Sequence, residues 1–173
     1  TAAFNLAYEA FQAVAPAERE IGLYDLLFPV ARKVFYFRLF GRKGFHEMQL
    51  IVPRDAFATV ARELRGQLEK HPVPVTLASC KLFLGTPALL RFDGTGVCLA
   101  LDFPRGPAGE RFASWLDALA RDVGALPNII KDSRLGKDTM TACYRGCEAF
   151  REGLRRFDPD RLYRSEVSER LAL

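Results

Sequence analysis

Histidine is scarce in this sequence: His46 and His71 stand alone and far apart. Cysteine is almost as thin, with Cys80, Cys98, Cys143 and Cys147 spread unevenly along the chain. That spacing matches no zinc framework, so no metal centre is expected. Buried free thiols in a reducing compartment are the default for such a set, and a cytoplasmic location is the expectation. Several motifs are missing altogether. There is no nucleophile elbow, Walker loop, GxGxxG or HExxH, which excludes the chemistries those motifs carry. Gly94-Thr95-Gly96 falls in an expected hairpin rather than at a strand-to-helix turn, so it reads as a turn and not as a phosphate cradle. Long apolar runs are lacking too. Gly22–Val30 and Val34–Phe40 stop well short of the ~20 residues a membrane span needs. No repeat and no low-complexity tract occurs. The chain opens Thr-Ala-Ala-Phe with no basic segment before an apolar one. No signal peptide is expected, and the start reads as the middle of a longer protein.

What is present is ordinary in size and unusual in aromatics. The 173 residues and 19.4 kDa suit one domain or one large fragment of a domain. At 49% hydrophobic and 27% charged, the chain can bury a core and stay in solution, which excludes disordered and collagen-like classes. The net charge of +4 and pI near 9.0 attract anions but do not argue for nucleic acid, so no nucleic-acid partner is expected. Fourteen Phe and five Tyr imply a bulky aromatic core or an apolar pocket.

Periodicity divides the chain into short elements. Phe4, Ala7, Tyr8, Phe11 and Val14 recur at helical spacing within residues 1–20. Pro16 with Glu18-Arg19-Glu20 reads as a linker. Gly22–Phe28 suits a buried strand. Pro29 opens a helical stretch, Val30–Phe40, stopped by Gly41, and Arg42-Lys43-Gly44 makes a basic turn. Phe45–Val52 alternates as a strand with Glu47 and Gln49 on its polar face. Asp55 can cap a helix to about Lys70, with Phe57, Val60, Ala61, Leu64 and Leu68 as its stripe. His71-Pro72 ends it. Val73–Leu84, Ala88–Phe92 and Val97–Phe103 read as strands, the last two joined at Asp93-Gly94. Ala108–Val123 is an amphipathic helix capped by Gly124, Pro127–Ile130 a short strand, and Lys137–Arg156 a helix. An irregular stretch follows from Phe157. Hairpin-type neighbours with helices between them predict an α+β fold, an antiparallel β-sheet flanked by helices, with a C-terminal helical tail.

Charged residues inside apolar patterns are the candidates for chemistry. Lys81 lies within a strand pattern, where it either snorkels at an edge or points into a polar cavity; the edge is favoured because buried Lys is rare. Lys131 follows Ile129-Ile130 at a strand end, where site residues are often mounted, although from the residues alone a surface lysine before an Asp-capped helix start is the favoured reading. Glu47 and Gln49, with Phe45, line either a wet pocket or the solvent side of a strand. Arg32, Lys33, Arg38, Arg42 and Lys43 form a basic cluster that suits a solvated face, a phosphate-bearing substrate or a membrane head group.

Four groups of residues carry a family resemblance. They are Thr1-Ala2-Ala3-Phe4-Asn5; Arg38-Leu39-Phe40-Gly41 with Gly44-Phe45 and Gln49-Leu50-Ile51-Val52-Pro53; Lys81-Leu82-Phe83 with Leu101-Asp102-Phe103-Pro104; and Ile130-Lys131-Asp132-Ser133-Arg134 with Tyr144, Phe157-Asp158-Pro159 and Ser165…Arg170-Leu171. In this order they resemble the C-terminal half of bacterial FAD-linked oxidoreductases of the vanillyl-alcohol-oxidase type. The resemblance implies a substrate domain over residues 1–125 and a C-terminal segment, 126–173, that packs on an FAD-binding domain absent from this chain. FAD would be bound mainly by that domain. It implies oxidation of an alcohol carbon on a sugar or polyprenyl-phosphate sugar by hydride transfer to flavin N5. Lys131 would be the catalytic and cofactor-binding lysine near flavin and substrate. Lys81, Gln49, Glu47, Phe83, Cys98 and Asn128 would face the substrate. Some of these depart from the family pattern: Glu47 stands where it has Gln, Cys98 where it has Asn, and Asn128 where it has Tyr. A sugar-lactone or alditol oxidase of the same superfamily is the nearest alternative, and a non-catalytic α+β ligand- or partner-binding module the alternative from another class. The small-molecule substrate is the one partner implied; a peripheral membrane contact is compatible with the basic cluster, and the oligomeric state is not read from the sequence.

Overall fold

The computed structural model describes residues 2–15, 18, 20–28, 34–38 and 40–173. Its centre is strand β1, Phe45–Val52. The sheet order is β2-β3-β1-β4, every neighbour antiparallel, with β2 at Leu77–Phe83, β3 at Gly96–Pro104 and β4 at Leu126–Pro127. Alternation along β1 decides its two faces. His46, Met48, Leu50 and Val52 point to a packed side, while Phe45, Glu47 and Gln49 point to the other and are only half-buried. On the packed side, Met48, Leu50, Leu99, Leu101 and Phe103 meet Phe112 and Leu116 of helix α5, Pro107–Val123. Each such side chain contributes roughly 1.5–3 kcal/mol of transfer free energy.

Helix α5 is specified locally as well as by packing. Pro107 sits in its first turn, Glu110 follows near the positive end of the dipole, and Gly124 ends it at φ 66°, a left-handed conformation that favours glycine. Helix α4, Phe57–Lys70, covers the same side less completely, with Val60 buried and Phe57, Leu64 and Leu68 packed at its margin. Residues 126–173 enter this core too. Leu135, Met140, Cys143, Tyr144, Cys147 and Leu171 all join the same cluster. The expected α+β architecture with an antiparallel sheet is what the chain forms.

Several local expectations change. Gly22–Phe28 is not a buried strand: Leu23–Leu27 forms a short helix, α2, and Leu23, Leu26, Leu27 and Phe28 are each more than half exposed. Three leucines favour helix, and Asp25 sits well in its first turn. The first expected helix does form, as α1 over Ala2–Val14, but Leu6, Tyr8, Phe11 and Val14 face outward. Helix α3, Val34–Arg38, lies inside the expected 30–40 stretch; its Pro29 start, Arg32 and Lys33 fall outside the described residues, as do Thr1 and Pro16. Ala88–Phe92 is not a strand. Phe83 pairs with Gly96, so β2 joins β3 directly and everything between them becomes connection. Asp93 takes the Gly94 N–H at 2.8 Å within that connection instead of closing a tight hairpin.

The expected Lys137–Arg156 helix is two helices, α6 over Lys137–Cys143 and α7 over Cys147–Phe157. Tyr144 turns extended between them and donates its hydroxyl to the Pro127 carbonyl at 2.5 Å. Gly146 follows against the Leu89 backbone, where an added Cβ would lie 2.5 Å from Leu89 Cα. The stretch after Phe157 is not wholly irregular. Glu166–Leu171 forms α8, opened by a reciprocal Ser165–Ser168 capping box. No helix among the described residues is long and apolar enough to cross a membrane.

Candidate functional site

The side of the sheet away from α5 gathers the candidate residues through register alone. Cross-strand partners share a face. Glu47 lies opposite Asp102, Gln49 opposite Ala100, and Ile51 opposite Cys98, which in turn lies opposite Lys81. Phe83 lies on the same face opposite Gly96. Strand β4 brings the chain along the other edge of β1, and the Asn128 N–H donates to the Gln49 carbonyl at 2.9 Å.

Four of the candidates are hydrogen-bonded into one network. Lys131 Nζ donates to Glu47 Oε2 at 3.3 Å. Gln49 Nε2 donates to Glu47 Oε1 at 2.6 Å, and Asn128 Nδ2 donates to Gln49 Oε1 at 2.9 Å. Asn128 Oδ1 closes the ring by accepting the N–H groups of Ile130 and Lys131 at 3.1 and 3.3 Å. The lysine side chain is half exposed and the Glu47 side chain less so. The turn carrying Lys131 is thus held at its own backbone, and its ammonium is aimed at a carboxylate.

The other three candidates are set apart from the network. Lys81 and Cys98 sit two residues, about 7 Å, beyond Gln49 along the strands, and Phe83 lies beyond them, edge-on to Phe92 with ring centroids 5.9 Å apart. Lys81 is on the exposed edge strand. Cys98 is buried, which pushes its thiol up; the Lys81 charge opposes this in part. The thiol is therefore neutral at physiological pH.

One buried acid on this face belongs with the group and was not among the candidates. Asp102 is 5% exposed and accepts the Tyr36 hydroxyl at 2.6 Å. Thr76 Oγ1 is 3.2 Å from the same hydroxyl. Burial raises the Asp102 carboxyl above the usual range, the Tyr36 bond opposes the rise, Glu47 adds to it, and Lys131 opposes it. The signal was legible: Asp102 is a lone acid in the apolar run Leu99–Phe103. Because the folded state holds the Asp102 proton more tightly than the unfolded chain does, this group's contribution to stability falls as pH rises through its folded value. Asp102→Asn is expected to gain on wild type in urea midpoint between about pH 4 and pH 7. An equal displacement at both pH values would refute the sign.

The network opens on a cleft of about 190 Å³ between the start of β1, Arg105 and the turn Lys131–Ser133. Larger clefts exist: a mainly apolar one of about 470 Å³ between α4 and the β2–β3 edge, and one of about 370 Å³ beside His71 and Arg111. Neither is lined by a residue of the network, whereas Glu47 and Lys131 both line the smaller cleft, so chemistry rather than size selects it. Among the described residues no cluster of His, Cys, Asp or Glu is arranged to hold a metal ion.

No family model matches the chain. It is 28% identical over 137 residues to the decaprenylphosphoryl-beta-D-ribose oxidase of Mycolicibacterium smegmatis. That similarity covers 79% of this chain, which spans about 30% of the length of the relative. The chain is thus similar, over most of its length, to part of an oxidase.

Proposed function

We propose that the chain is the substrate-facing part of an FAD-linked oxidoreductase that oxidises an alcohol carbon of a sugar or polyprenyl-phosphate sugar. The observation that carries the reading is the Lys131–Glu47–Gln49–Asn128 network on one face of the sheet. The similarity to an oxidase supports it.

The donor set suits a flavin. Lys131 has three N–H groups and spends one on Glu47, while Gln49 and Asn128 each keep an amide N–H beyond those used in the network. Such donors match the carbonyl and nitrogen edge of an isoalloxazine ring. FAD itself would be held mainly by a domain outside this chain. Bound FAD supplies the hydride acceptor at flavin N5.

The chain's own residues do the positioning. Lys131 presents a fixed positive charge where negative charge develops on ring or substrate oxygen. Glu47 fixes the direction of that ammonium, and Gln49 holds Glu47. Asn128 holds both Gln49 and the turn. Lys81, Cys98 and Phe83 shape the rest of the face. Glu47 and Asn128, two of the positions that depart from the family pattern, are both inside the network, so the substrate side is altered there.

The test is the visible spectrum of the natively produced full-length protein. Bands near ~370 and ~450 nm that bleach anaerobically with a sugar phosphate are expected. Bleaching with aldonolactones or alditols alone selects the sugar-lactone or alditol oxidase. A colourless protein overturns the reading in favour of a non-catalytic binding module.

A further inference from the structure

We infer that Arg105 and the Ser133 hydroxyl form an oxyanion subsite for the phosphate group of the substrate; the inference rests on the oxidoreductase reading and specifies its substrate. Three segments meet at this cleft. The Arg105 N–H donates to the Gly44 carbonyl at 3.2 Å, which ties the residue to the start of β1. Its guanidinium donates from Nη2 to Ser133 Oγ at 3.3 Å, next to Lys131.

The charges around the cleft single out Arg105. Glu47 is spent on Lys131 and Gln49. Asp132 is buried, and its carboxylate accepts the N–H groups of Arg134 and Leu135 and a contact from the Arg134 guanidinium. Glu110 is spent on His46 at 2.7 Å. Arg105 itself has no carboxylate within salt-bridge reach among the described residues. An unpaired guanidinium, with most of its five N–H donors unspent, faces a polar cleft. Exposed Arg42 and Lys43 precede Gly44 and raise the positive potential of the same end of the sheet.

The geometry points to a phosphate. A guanidinium fork matches two oxygens of an oxyanion. Ser133 Oγ accepts from Arg105, so its own O–H is free to donate into the cleft and is strengthened by that bond. Donors from two directions suit a tetrahedral group better than a planar one. The volume agrees: about 190 Å³ is below the ~300 Å³ lower end for whole small-molecule sites, so the cleft takes a head group rather than an entire substrate.

The experiment is a titration of the ¹⁵N-labelled full-length protein with inorganic phosphate, followed at Arg105 Nε and the Ser133 amide. Saturable shifts at both are expected, weakened at least about tenfold in Arg105→Gln, which removes a charge-assisted pair. Arg54→Gln, an exposed arginine outside the cleft, is expected to leave the titration unchanged. Shifts that persist in Arg105→Gln, or acetate binding at the same residues as tightly as phosphate, would overturn the proposal. Flavin content of the same sample separates the two claims. A flavin-loaded protein blind to phosphate overturns the subsite alone, and a flavin-free protein that binds phosphate through Arg105 overturns the oxidoreductase reading alone.

Discussion

Lys131→Ala in the full-length enzyme is expected to lower kcat by about 10²–10³, a loss of roughly 2.7–4 kcal/mol of transition-state stabilisation. The magnitude is that of removing one preorganised donor. Two features of the structure favour the upper part of the range. The Lys131 backbone is held by Asn128 Oδ1, and its ammonium is held by Glu47, so the charge is in place before substrate arrives. Truncation also leaves Glu47 without its cation, and an unbalanced carboxylate then faces the developing negative charge. The kinetic split is informative: an effect confined to KM would assign Lys131 to substrate binding, whereas an equal fall in kcat and kcat/KM assigns it to the transition state. Turnover within about tenfold of wild type, under ~1.4 kcal/mol, would remove Lys131 from the mechanism.

Arg134→Ala is expected to be the most damaging change in the same turn, costing about 3 kcal/mol of stability. Arg134 donates to Asp117 Oδ2 from both Nη1 and Nη2 at 2.8 Å and to the Ala113 carbonyl at 3.2 Å, which fastens the Lys131 turn to α5. Both side chains are largely buried, at 20% and 11% exposure, so removal of one partner strands the other in a poorly solvated place. Burial already raises the Asp117 carboxyl, and the hydrogen bond and charge of Arg134 oppose that rise. Without Arg134 the acid takes up a proton more readily, so part of the loss should be recovered at low pH. The residual exposure of Arg134 places the cost at the lower end of the ~3–5 kcal/mol range for broken buried pairs. In a chain of this length the melting temperature would fall by about 6–12 °C. Asp117→Leu combined with Arg134→Met should restore much of the loss, since neither charge is then left alone. A single Arg134→Ala variant within about 1 kcal/mol of wild type would show that solvent rather than Asp117 satisfies the guanidinium.

Much of the framework was legible residue by residue. Strand β1 begins and ends where its alternation and Pro53 place it, and α5 stops at Gly124 because only the left-handed conformation there closes the last turn. The same alternation put Glu47 and Gln49 on one face. Legibility failed where local pattern was ambiguous. The apolar run Leu23–Leu27 has no period that separates strand from helix, and the stretch Ala88–Phe92 has the composition of a strand but falls in the connection between β2 and β3, which pair directly with each other. The break at Tyr144 depends on a carbonyl 17 positions away.

Composition, hydrophobic period and turn chemistry by themselves determined the α+β class, the core face of β1 and the amphipathic side of α5. These are properties of neighbours in sequence, and near-neighbour sterics and burial decide them. Tertiary structure alone decided which polar residues meet. Lys131 reaches Glu47 across 84 positions, Asn128 reaches Gln49 across 79, Tyr36 reaches Asp102 across 66, and Arg105 reaches Ser133 across 28. Those meetings follow from strand order and register, and a shift of one residue in β1 would turn Glu47 and Gln49 into the core and abolish the network.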